Sequence, residues 1–149
     1  MLKTKIPPPV IALTFIAILY ISSVLMVRFT FEGQSIFALF IFILGLGCVF
    51  SAGIQFRKVN TTVNPLDPES ASHLVVGGIF KYSRNPMYVG LFVAVLAFGI
   101  YVGAWFVFIL LPLFVLSINY LQIVPEEIAM HKLFGDEYIS YCNSVRRWI

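Results

Sequence analysis

The sequence predicts an all-α integral membrane protein: four transmembrane helices, a polar loop between the second and third, and a C-terminal amphipathic helix. Three observations predict it. Of the 149 residues, 60% are hydrophobic and 11% charged, against about a quarter charged in a soluble domain, and mean hydropathy is +0.93. Uncharged stretches fill residues 6–27, 33–56 and 85–125. The basic residues are sorted almost entirely to one side of those stretches. At this length a single domain, residues 1–149, is expected.

A helix crosses the hydrocarbon with roughly 20 apolar residues, so the first two stretches make one span each, about 8–27 and 34–56. The first is read as a span rather than a leader. Its apolar run exceeds the usual leader core of about 7–15 residues, and no small-x-small site closes it. The third stretch holds 41 residues. As one helix it would reach roughly 60 Å, about twice the hydrocarbon thickness. It must fold back, and Gly99-Ile-Tyr-Val-Gly103-Ala-Trp105 supplies two glycines with interface-seeking Tyr101 and Trp105. The resulting spans are 86–102 and 104–124.

An even number of spans leaves both ends on one side. That side carries Lys3, Lys5, Arg57, Lys58, Lys81, Arg84, Lys132, Arg146 and Arg147, and the other only Arg28. Basic residues gather on the cytoplasmic face, so both termini are expected there. The net charge of +3 follows from this topology and implies no nucleic acid. Cys48 and Cys142 have no paired spacing, and neither a disulfide nor a metal site is expected.

The polar parts are a loop, 57–85, and a tail, 126–149. Asn60-Thr-Thr-Val-Asn-Pro-Leu-Asp-Pro68 forbids regular helix. The apolar segment Leu74-Val-Val-Gly-Gly-Ile-Phe80 is broken at Gly77-Gly78, which serve either a flexible turn or a close approach of backbone to ligand. In the tail, Pro125 suits a first helical position, with Glu126 and Glu127 in the first turn, where negative charge is favoured. Gly135-Asp136 reads as a stop followed by a new N-cap. Beyond it Tyr138, Tyr141, Cys142, Val145 and Trp148 recur at helical spacing. That pattern is an amphipathic helix lying on the membrane or closing over the bundle.

The residues that point to chemistry lie at the mouth of the third stretch, in Tyr82-Ser-Arg-Asn-Pro-Met-Tyr-Val-Gly90. Pro86 restricts Asn85 to an extended conformation and opens the span, so Arg84 and Asn85 should face a cytoplasmic cavity. Tyr88 should point into the bundle, and Gly90 should let backbone or ligand pass closely. Adjacent helical residues point about 100° apart, so at most one of Glu126 and Glu127 faces a common site. Each feature also has a plainer reading: a favourable helix start for the acidic pair, a cytoplasmic anchor for Arg84, surface positions for His73 and His131. No nucleophile–base pair, metal cluster or phosphate loop of known spacing is present.

Taken in order, Thr61-Thr-Val-Asn-Pro65, Leu74-Val-Val-Gly-Gly-Ile-Phe80, Ser83-Arg-Asn-Pro-Met-Tyr88-x-Gly90, Glu126-Glu127 and Phe134-Gly-Asp-Glu-Tyr138-x-x-Tyr141 resemble the isoprenylcysteine carboxyl methyltransferase family and, with it, the phospholipid methyltransferases. The likeness covers residues 57–147. It implies an integral-membrane methyltransferase using S-adenosylmethionine, with the polar loop as cofactor loop. The cofactor-binding residues it implies are Gly78, Phe80, Arg84, Asn85, Pro86, Tyr88, Gly90, Glu126 and Glu127, with Arg84 and Glu127 catalytic. The eukaryotic carboxyl methyltransferases usually carry His where this chain has Asn85, and they have more spans. The chain is similar to the compact prokaryotic branch, which implies a prokaryotic inner membrane.

The chemistry agrees with those residue types. Arg84 suits the cofactor carboxylate, since guanidinium binds carboxylates bidentately. Glu126 or Glu127 can accept from ribose hydroxyls or pair with the ammonium, and Tyr88 and Phe80 offer aromatic faces to a cation. Methyl transfer chiefly requires the two reactants to be aligned. A carboxylate or thiol on a lipophilic acceptor needs no strong base, and no base stands out in the sequence, so such an acceptor is expected. A phospholipid or small-amine N-methyltransferase is the alternative. A non-enzymatic four-helix membrane protein is the second, although a transporter would place ionisable groups within the spans, and these have none.

Overall fold

A computed structural model describes residues 6–59 and 71–149. Lys3, Lys5 and the Asn60–Pro68 part of the loop, with its Thr61–Pro65 motif, lie outside the described residues. The named elements of the described chain are all helices: α1 (Pro8–Leu25), α2 (Gln34–Lys58), a one-turn 3-10 helix (Gly78–Lys81), α3 (Pro86–Val102), α4 (Val107–Ile118), a π-helical turn (Asn119–Ile123) and α5 (Val124–Ser144).

Three helical runs are long and apolar enough to cross a membrane: Pro8–Leu25, Gln34–Lys58 and the continuous run Val107–Ser144. The protein is therefore an integral membrane protein. The apolar part of the third run ends at Pro125, and from Glu126 onward it carries charges that belong beyond the hydrocarbon. α3 is also apolar but has 17 residues, a reach of about 25 Å.

α1 and α3 both begin on prolines, Pro8 and Pro86, where a missing N–H costs nothing. α3 stops at Gly103, whose φ of 68° reverses the chain into α4. A side chain there would overlap the carbonyl of Phe29. That approach lets Phe29 N donate to Gly103 O at 2.9 Å, while Gln34 Nε2 donates to Ile100 O at 2.6 Å. The two connections at this end of the bundle are thus tied together.

α3 is the centre of the bundle, packed along α2 and against α1 and α4. The α2–α3 contact rests on two glycines. A Cβ on Gly90 would lie 2.6 Å from Val49 Cγ2 and 2.7 Å from Gly45 O, and one on Gly45 would lie 2.9 Å from Gly90 O. Without a hydrophobic drive between helices in lipid, close backbone approach of this kind maximises dispersion contact. Leu19, Val95, Val107, Phe114, Ile118 and Ile123 are fully buried between α1, α3 and α4. The outer faces of α1 and α2 expose Leu13, Leu25, Leu39, Phe40 and Phe50.

At the opposite end from Gly103 the chain differs from expectation. Pro125 does not begin a separate helix. α4 runs through the π-helical turn into α5, because widening one turn accommodates a ring and a missing N–H that a regular helix cannot. Glu126 and Glu127 therefore have no free helix start to cap. Gln122, in the widened turn, is fully buried and donates through Nε2 to Ile6 O. At Gly135 the backbone leaves helical geometry (φ 50°, ψ −123°), so the expected stop is a kink. Beyond it Tyr138 and Tyr141 are buried against Ala52, Val75 and Phe80. Of the two expectations for the tail, closure over the bundle is the one realised.

Candidate functional site

Where α5 folds over the N-terminal end of α3, a cavity of about 360 Å³ opens. Its walls come from five places. Pro8 and Pro9 belong to α1, Val49 and Phe56 to α2, and Ala71, His73, Leu74, Val75 and Phe80 to the loop. Arg84, Asn85, Pro86, Met87, Tyr88 and Leu91 form the α3 corner, and Glu126, Glu127, Met130, Tyr138 and Tyr141 come from α5. Most of this lining is apolar, with a few polar groups converging at one side, the usual make-up of a small-molecule site.

Local geometry explains how the corner presents its groups. Asn85, the residue before Pro86, has φ −129° and ψ 52° and caps α3. Its backbone N donates to Ser83 Oγ at 3.0 Å, and its Nδ2 donates to Arg147 O at 3.0 Å. Arg84 N donates to Arg146 O at 3.0 Å. The Arg84 guanidinium donates through Nη1 to the carbonyls of Cys142 (3.1 Å) and Val145 (3.2 Å), and through Nη2 to Glu127 Oε1 at 2.8 Å. Its Nε is buried without a partner among the described residues, which is costly for a donor. The corner is thus clamped by the last turn of the chain.

Glu127 is occupied from both sides. Besides Arg84 it accepts Arg147 Nε at 3.0 Å on Oε1 and Arg147 Nη2 at 2.6 Å on Oε2. Glu126 has a different setting. Its Oε1 accepts from the Tyr88 hydroxyl, and among the described residues no basic side chain pairs with it. Burial pushes the Glu126 carboxyl up to about 7; the Tyr88 hydrogen bond opposes the rise and the Glu127 charge adds to it. Both acids border the cavity, but Glu127 is turned onto Arg84 and Arg147, in line with the expectation that one of the pair would meet arginine or solvent and leave the other to the site.

Of the nine cofactor-site residues named from the sequence, seven line the cavity: Phe80, Arg84, Asn85, Pro86, Tyr88, Glu126 and Glu127. Gly78 and Gly90 stand behind its walls. Gly78 has φ 59° with the Gln55 side chain where its Cβ would be, and Gly90 faces α2. Arg147, Pro8, Pro9, Leu91 and Met130 carry no local signal that singles them out for this region. Arg147 lies 20 residues from its partner Glu127, beyond any helical spacing, and no local signal reveals it. Tyr138 and Tyr141 were visible as a helical stripe, and Tyr141 also donates to Phe80 O at 2.7 Å.

The chain is 38% identical over 63 residues to an uncharacterized protein of Haemophilus influenzae, a match covering 42% of this chain and the whole of that one. No solved structure matches it. Residues 33–137 match the phospholipid methyltransferase family. That stretch contains α2, α3, α4, the Arg84 corner and both glutamates, so the chain belongs to the phospholipid methyltransferase family.

Proposed function

We propose that this protein is an S-adenosylmethionine-dependent methyltransferase acting on a lipophilic acceptor, with the cavity between the Arg84 corner and α5 as its site. The observation that carries the reading is the buried Nε of Arg84, unpartnered among the described residues, beside aromatic walls and an acidic group that no described cation pairs with. These residues fit the cofactor. Arg84 Nε would donate to its carboxylate end, and Phe80 and Tyr88 would give aromatic faces to its sulfonium. Asn85, Pro86 and Glu126 would complete the contacting set, with Gly78 and Gly90 supporting the walls from behind. When bound, the cofactor supplies an electrophilic methyl group.

The protein's own part is to position and to exclude water. Glu127, held by two arginines, would act through Arg84 rather than on the reactants, which makes it a positioning residue. Pro8, Pro9, Val49 and Leu91 form an apolar wall suited to an acceptor arriving from the lipid. A closed, apolar site strengthens the few electrostatic contacts inside it. Four spans with both termini in the cytoplasm of a prokaryote would bring cofactor from the water side and acceptor from the bilayer. The sequence favours a carboxylate or thiol acceptor, with an amine as the alternative.

Calorimetric titration of the detergent-purified protein with S-adenosylmethionine tests the cofactor. Saturable binding that is lost in Arg84→Ala supports the reading, and a folded wild type without binding removes it. A tritium-methyl transfer screen over lipids, prenylcysteines, thiols and amines then tests the acceptor.

A further inference from the structure

Beyond Ser144 the chain leaves α5 and crosses the Arg84 corner as an extended strap, beginning at Val145 (φ −130°, ψ 133°). Three successive carbonyls of the strap accept from the corner. Val145 O takes Arg84 Nη1 at 3.2 Å, Arg146 O takes the Arg84 amide at 3.0 Å, and Arg147 O takes Asn85 Nδ2 at 3.0 Å. Two side chains fasten the strap to the rest of the bundle. Arg147 grips Glu127, and Trp148 Nε1 donates to Asn119 Oδ1, in the π-helical turn, at 3.1 Å. The strap lies beyond residues 33–137, the stretch that matches the family.

None of residues 145–148 is fully buried, so polar contacts rather than a packed core hold them down. Segments held in that way open locally at far less cost than global unfolding. The closed strap also leaves a defect beneath it, because Arg84 Nε is buried with no partner among the described residues. A donor in that state carries a desolvation penalty, which a carboxylate would relieve. A group closed to water is closed to a carboxylate too, so the corner has to loosen before Nε can be reached.

We propose that residues 145–148 are a latch on the Arg84 corner, which opens to pass a carboxylate-bearing ligand and recloses once Nε is satisfied. The identity of that ligand rests on the methyltransferase reading, under which it is the carboxylate end of S-adenosylmethionine. The latch itself does not rest on it. Opening releases the three carbonyl contacts, the Arg147–Glu127 pair and the Trp148–Asn119 bond. Of these fastenings, Trp148–Asn119 involves neither Arg84 nor an acid. Weakening it alters the latch and spares the groups that would meet the ligand. A ligand that favours the reclosed form shifts the population toward it.

The test uses the full chain in nanodiscs with two variants. Trp148→Phe keeps a ring and deletes the N–H, and Asn119→Ala deletes the acceptor. Without ligand, hydrogen exchange read by mass spectrometry reports the opening. The Arg84 amide should exchange faster than amides 95–99 inside α3. In either variant it should exchange about 3- to 10-fold faster again, the effect of losing one ordinary hydrogen bond, with 95–99 unchanged. Tritiated S-adenosylmethionine, followed by scintillation proximity, then reports passage. Entry and release should both quicken by a similar factor in Trp148→Phe, so that affinity moves far less than either rate.

Exchange of the Arg84 amide no faster than that of 95–99 would overturn the latch, since the strap would then open only with the whole bundle. So would faster release with unchanged entry, because Trp148 would then merely support the bound state. A folded wild type that binds no S-adenosylmethionine removes the cofactor reading, and the ligand-free exchange still decides the latch.

Discussion

Arg147, two residues from the end of the chain, holds Glu127 with two hydrogen bonds of 3.0 and 2.6 Å. Through that pair the C-terminal segment reaches Arg84, which the same Glu127 grips at 2.8 Å. The tail therefore clamps the corner beside the cavity, and its removal would release the corner that opens α3.

The two arginines should not matter equally. Glu127→Ala leaves Arg84 buried with its charge uncompensated and should lower stability by about 1–3 kcal/mol. Arg147→Ala keeps the inner pair, and because its side chain is 40% exposed it should cost under about 1 kcal/mol. Thermal unfolding in detergent measures both. Equal losses would mean that the three side chains act as one unit.

Glu126 gives the fold a pH dependence of definite sign. Its carboxyl titrates at about 7 when folded, against a reference value of 4.5. Between these values the folded state keeps a proton that the unfolded chain has released, so rising pH favours unfolding across that window. Tm should fall from pH 4.5 to 7 and then level off. Glu126→Gln should flatten the slope, and an unaltered slope would place the titration elsewhere.

Gly90→Ala should open the α2–α3 contact. Its Cβ would meet Gly45 O at 2.7 Å, a backbone atom that cannot rotate away, and over-packing of this kind costs about 1–3 kcal/mol. Gly47→Ala is the control, because nothing lies within 4 Å of its Cβ position. Loss of Tm in the first and none in the second would be the expected pattern. A bulkier Gly90→Leu should also abolish cofactor binding, through displaced helices rather than through a filled cavity.

Topology is tested with reporters. A fusion after Ile149 should behave as cytoplasmic and an insertion between Arg28 and Gln34 as external. An external C-terminus would mean that α3 and α4 do not form two separate spans.

The membrane class is legible in local stretches of chain, because hydrocarbon imposes length and polarity limits that each stretch either meets or fails. The apolar runs, the Gly103 reversal, the Pro86 start and the Gly135 break all follow from residues near one another. The Arg84 corner and the acidic pair were legible for the same reason, as polar groups where lipid makes them expensive. Tertiary structure decided what each acid does. Neighbours in sequence, Glu126 and Glu127 differ only in what the rest of the chain brings to them: Tyr88 to one, Arg84 and Arg147 to the other. It also decided that the helix would run through Pro125 and that Gly90 would meet Gly45. Those outcomes depend on packing between segments far apart in sequence, where periodicity and propensity carry no information.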